Sequence, residues 1–169
     1  MAQYGNNAVN LALSDHGLKA YAWLQQVRDL KLDIQRLDKA IDETNMKMTS
    51  LPSSSAFSGT KVQTSQPQGA DYEQLVAAKD SMERELQIER EQFDRLKEQA
   101  TKVIRQCTVY PHRMLLLWYF LEGFTWKWVG TRIDRTERSV YRIRNEALEK
   151  IVLPEDAIWL NLPGGGTSA

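Results

Sequence analysis

Apolar side chains recur with a heptad period over residues 20–48, and that period dictates a long helix needing a partner along one narrow seam. Ala20, Val27, Ile34, Ile41 and Met48 occupy one seam position, and Trp23, Leu30, Leu37 and Thr44 the other. Between them stand Arg28, Asp29, Lys31, Asp33, Arg36, Asp38, Lys39 and Asp42, as a solvated face requires. No glycine or proline interrupts the stretch.

A second heptad run starts near Asp71, whose carboxylate suits an N-cap, and extends to Cys107. Tyr72, Leu86, Phe93, Ala100 and Cys107 take one seam position, and Leu75, Met82, Leu96 and Val103 the other. Lys79 and Glu89 interrupt this seam; they either fix register and oligomer state or point outward where the pairing splays. Residues 49–70, dominated by Ser, Thr, Gln, Gly and Pro, read as a flexible connector on whose flanking helices Phe57 and Val62 dock weakly. Two helices of roughly thirty residues, about 45 Å each, fold back most simply as an antiparallel coiled-coil hairpin. A two-helix hairpin leaves apolar surface uncovered, so a homodimer is expected.

The formal net charge of zero hides an uneven distribution. Residues 1–70 hold seven Lys/Arg and six Asp/Glu, 71–100 five and nine, 101–151 ten and five, and 152–169 none and two. The positive excess gathers in one segment, as the electrostatic footprint of a nucleic-acid partner would. Pro111 places a boundary at that segment's start, because it disfavours helix at Tyr110 and suits a new first turn. The expected organisation is a hairpin over 1–110, a domain over 111–153 and a tail over 154–169, whose apolar cluster Ile158, Trp159, Leu160 and Leu162 is expected to pack back on the domain rather than meet a partner.

Punctuation divides residues 113–151 into three helices, near 112–122, 126–133 and 137–151. Gly123 fits a C-cap, Thr125 and Thr136 fit N-caps, and Asp134-Arg135 forms a tight turn in which aspartate tolerates left-handed backbone. In a helix-turn-helix the last helix needs an apolar bracing face, which Val140, Ile143, Ala147 and Ile151 supply. Opposite them, Glu137, Arg138, Tyr141, Arg142 and Asn145 form the base-reading set: arginine pairs with guanine, asparagine with adenine, and glutamate accepts from cytosine. Lys127, Arg132, Arg135 and Arg144 are the expected phosphate clamps. Trp118, Trp126 and Trp128 read as core, although the spacing of Trp126 and Trp128 leaves one of them exposed.

The runs LWYFLEGFTWKWVG at 117–130 and TERSVYRIRNEALEKI at 136–151 resemble sigma-70 region 4. They are closer to the region-4-like late transcription regulators of phages and prophages, of the ArpU and RinA type. The resemblance covers about a quarter of the chain. It implies an all-α protein that binds double-stranded DNA, activates late genes in a bacterial cytoplasm, and has host RNA polymerase as a further partner. It also places the base-contacting start of the recognition helix on Glu137, Arg138, Tyr141 and Arg142. The chain departs from the family at Trp128, Val129 and Gly130, where glutamate followed by Ile-Ala is usual, and at Arg135, where the turn residue is usually apolar. Gly130 is small enough for close helix contact.

Other chemistries find no pattern. His16 and His112 stand apart, Cys107 is the lone cysteine, and no glycine-rich phosphate loop precedes a helix, so no metal, cofactor or catalysis is expected. Cys107 reads as a buried seam residue and suits a reducing compartment. The longest apolar run, 114–121, is too short to cross a bilayer, and no signal peptide is discernible. Two alternatives remain: the DNA-recognition subunit of a phage packaging terminase, and a region-4-like protein that grips RNA polymerase without DNA.

Overall fold

The computed structural model describes residues 13–51 and 68–160. Every regular element among them is helical. The elements are α1 (Asp15–Ser50), α2 (Gln68–Arg105), α3 (Tyr110–Leu116) running into a π-helical turn (Leu117–Leu121), α4 (Trp126–Arg132) and α5 (Glu137–Leu148). Phe57 and Val62, most of the connector, and the glycine-rich end with Leu162 lie outside the described residues.

Both heptad stretches form continuous helices, of 36 and 38 residues. The start of α1 is fixed by Ser14, whose hydroxyl accepts from the Gly17 amide at 3.1 Å, and by the Glu149 carboxylate, which accepts from the Ser14 amide at 2.7 Å. An anion at a helix N-terminus meets unpaired N–H groups and the positive end of the dipole. The Ser14 hydroxyl, which also donates to Glu149, and then the Ser14 amide hold the Glu149 carboxyl below its ordinary value. α2 begins three residues before Asp71, which therefore sits in the first turn and is not its N-cap.

Packing divides the described residues into two compact units, one within 1–32 and 92–169 and the other within 33–91. In the first, one core joins Ala20, Trp23, Leu24 and Val27 of α1, Leu96, Ala100, Val103 and Ile104 of α2, and apolar residues of α3, α4 and α5. Packing thus does not break near Pro111, where the sequence placed a domain boundary. The reason is size: helices of 7, 7 and 12 residues cannot bury their apolar faces on one another alone. α1 and α2 supply the missing surface.

The chain after α5 belongs to the same core. The Ile158 carbonyl accepts from Trp23 Nε1 at 3.0 Å and Gln26 Nε2 at 2.8 Å, while the Ile158 amide donates to Gln99 Oε1 and the Leu160 amide to Gln26 Oε1. Side-chain amides of α1 and α2 thereby satisfy an extended segment that has no strand partner. Residues 154–160 pack back on the domain as the apolar cluster leads one to expect, with Ile158 and Leu160 half-buried but Trp159 exposed.

The second unit, by contrast, has a thin core. Ile41, Leu86 and Thr44 are buried in it, an Arg90–Asp38 ion pair at 2.8 Å links the two helices, and Met46, Tyr72 and Ile88 are exposed. Both seam-breakers are half-buried: Lys79 pairs with Glu83 at 3.6 Å, and Glu89 has its carboxyl pushed up by burial and by Asp33 and Glu85. Among the described residues no helix is long and apolar enough to cross a membrane, and no group of three metal-binding side chains occurs.

Candidate nucleic-acid interface

α4 and α5 are set by local chemistry at their ends. Thr125 Oγ1 accepts from the Trp128 amide and Thr136 Oγ1 from the Ser139 amide, so both threonines act as N-caps. Gly123, at φ +83°, closes the preceding π-helical turn, and Asp134, at φ 52°, makes the left-handed step between α4 and α5. That step brings the Arg135 amide to the Gly130 carbonyl at 2.9 Å. A Cβ at position 130 would lie 2.9 Å from the Arg135 carbonyl oxygen and 3.2 Å from Val140 Cγ2. Gly130→Ala should therefore destabilise the first unit by about 1–3 kcal/mol through overpacking. A melting temperature equal to that of the parent would show that the turn has room to shift.

α1 also positions this region. Arg28 donates to the carbonyls of Tyr119 and Phe124, and Lys31 Nζ to those of Leu121 and Glu122 at 2.8 and 2.9 Å. The two cations satisfy carbonyls that the end of the π-helical turn leaves unpaired. From sequence they were placed on a solvated face, and both are half-buried. No heptad pattern could reveal the carbonyls waiting opposite them.

Val140, Ala147 and Ile151 of the expected bracing face are buried, and Ile143 is half-buried. Arg138 and Arg142 are exposed on the opposite side of α5. Arg142 Nε lies 3.9 Å from Glu146 Oε1, an exposed pair that costs little to give up. Glu137 is exposed and accepts a 3.0 Å hydrogen bond from the hydroxyl of half-buried Tyr141, so these two expected readers are tied to each other. Asn145 is half-buried, and its Oδ1 accepts from Arg144 Nε and Nη2.

Of the expected phosphate clamps, Lys127, Arg132 and Arg135 are exposed, with no carboxylate within ion-pair distance among the described residues. Lys127 and Arg135 flank the depression over the turn. Arg132 and Arg135 also border an apolar groove of about 610 Å³ lined by Tyr110, Met114, Trp118 and Ile143.

Arg144 does not fill the clamp role expected of it. It is 1% exposed, with its guanidinium over the rings of Tyr21, Tyr141 and Trp126 at 5.2, 5.3 and 5.7 Å, so it is no edge clamp. Position 144 falls one turn after Val140 and just before Ala147, which puts it on the buried side. That spacing was readable; what made an arginine tolerable there was the supply of aromatic faces from three segments.

The tryptophans divide by environment. Trp126 is buried and stacked on Tyr119 at 3.5 Å, whereas Trp128 is 39% exposed and stacked on Phe124 at 3.9 Å.

His112 is buried in the first unit, with Nε2 3.6 Å from Glu146. Burial, then Lys150, lowers its pKa from 6.5, outweighing the opposing pull of Glu146. The folded protein thus resists protonating it, and stability is lost as pH falls below about 6.5. Melting temperatures measured between pH 7.5 and 5 should fall in the parent and fall less in His112→Gln. Equal slopes would remove His112 from the account. Glu149, also shifted down, acts only at or below the ordinary carboxylate range.

No known protein family, curated protein or solved structure matches the chain.

Proposed function

We propose that this chain is a sequence-specific DNA-binding regulator of phage or prophage transcription, an activator of late genes in a bacterial cytoplasm, that lays α5 in the major groove. The observation that supports it best is the capped α4–turn–α5 unit, closed on Gly130, with Arg138 and Arg142 on the outward face of α5 and three exposed cations around the turn. Such an arrangement separates base readers from phosphate clamps, as major-groove recognition requires. Selection of bound duplexes from a random pool tests it. The reading expects an enriched motif containing guanines for the two arginines, and recovery of random sequence would reject it.

The thin core of the second unit supports a homodimer through α1 and α2, since Met46, Tyr72 and Ile88 have no cover. Sedimentation velocity of the full chain at tens of micromolar should give a dimer. A monomer rejects this arrangement, and a ring of eight or more copies favours the packaging-terminase reading.

The exposed stack of Phe124 and Trp128 favours a protein partner beside the DNA, with host RNA polymerase the partner expected of a region-4-like domain.

A further inference from the structure

Spacing puts Asn145 beside Arg138 and Arg142 on α5, yet its amide oxygen is already engaged. Arg144 Nε and Nη2 donate to Asn145 Oδ1 at 3.0 and 2.8 Å. A guanidinium can only donate, so the amide must turn its oxygen toward Arg144, and the parallel N–H pair of the fork converges on that oxygen.

Arg144 has little freedom to let go. Its charge cannot be shed by deprotonation, and it is almost wholly buried. Three rings compensate the lost hydration, Tyr21 from α1, Trp126 from α4 and Tyr141 from α5 itself. The planar fork that fits these faces also fits one amide oxygen side-on, which a lysine ammonium would not reproduce.

Asparagine recognises adenine by accepting from N6 and donating to N7, and acceptance needs the oxygen that Arg144 holds. We infer that Arg144 is a positioning residue of the reading face, which withdraws Asn145 from adenine recognition and ties that face to Tyr21 of α1. The inference rests on the DNA-binding reading above. Base preference then falls to Arg138 and Arg142, and Asn145 acts as the anchor that keeps Arg144 in register.

Two measurements on the full chain test this. In the free protein, the Arg144 Nε–H resonance should exchange slowly with solvent and be displaced by the surrounding rings; Asn145→Ala should move it and Arg138→Ala should not. In duplex selection, Asn145→Ala should lower the ratio of specific to random affinity by on the order of ten-fold while the enriched bases stay the same. Arg144→Met should lower the ratio similarly and add a preference for adenine at one position, because the amide oxygen is released. Arg144→Lys serves if the methionine variant does not fold, and should show a smaller adenine gain.

A parental motif containing an adenine that Asn145→Ala erases would overturn the inference. So would Arg144 variants that lower the melting temperature but leave both base preference and affinity ratio untouched. A parent that enriches no sequence rejects the DNA-binding reading itself. The resonance then decides the lock separately, and exchange as fast as that of exposed arginines overturns it.

Discussion

Val140→Asp should abolish the cooperative melting of the first unit. Val140 is fully buried, facing Gly130 across the turn and sharing a core with Val129, Ala147 and Leu148. An aspartate there brings a carboxylate into an apolar site, a change costing roughly 3–5 kcal/mol, which is a large part of the stability of a small domain. Arg144 lies one turn further along α5, but it can relieve the new charge only by leaving Tyr21, Trp126 and Tyr141. Calorimetry of the full chain reads the outcome. A retained transition near the parental temperature would mean that α5 faces another way.

The second large effect separates reading from clamping. Arg138→Ala or Arg142→Ala should cost about 1–3 kcal/mol on a selected duplex and little on random DNA. Arg132→Ala and Arg135→Ala should weaken both alike and lower the slope of log affinity against log salt by about one per lost contact. The motivating geometry is the placement of the first pair on the outward face of α5, with the second pair bordering the groove beside the turn. Competition binding at several salt concentrations measures both quantities. If all four substitutions shift specific and random binding equally, α5 is not a reader, and the RNA-polymerase-gripping reading gains.

Local features were legible where a single residue fixes the backbone. Thr125 and Thr136 as caps, Gly123 and Asp134 at positive φ, and Gly130 at the close approach all follow from side-chain size or a single hydroxyl. The two long helices were legible because a heptad period sustained over many turns has no other use. What stayed hidden depends on partners far apart in sequence. The lodging of Arg144 needs rings from positions 21, 126 and 141, and the roles of Arg28 and Lys31 need carbonyls about ninety residues away. The π-helical turn at Leu117–Leu121 carries no distinctive residue, and although the apolar cluster at 158–160 signalled packing, its anchoring by Gln26 and Gln99 did not show, because no pattern distinguishes them from surface glutamines.

If arginines of α5 contact base edges in the major groove, 7-deazaguanine substitution should expose those contacts. This base lacks the N7 acceptor that faces the major groove and otherwise pairs like guanine. In a selected duplex, replacing guanines one at a time should reveal at least one position where parental affinity falls on the order of ten-fold. Arg138→Ala or Arg142→Ala should make that position indifferent. If no guanine is sensitive, or if every variant shows the parental sensitivity, α5 does not read the major groove.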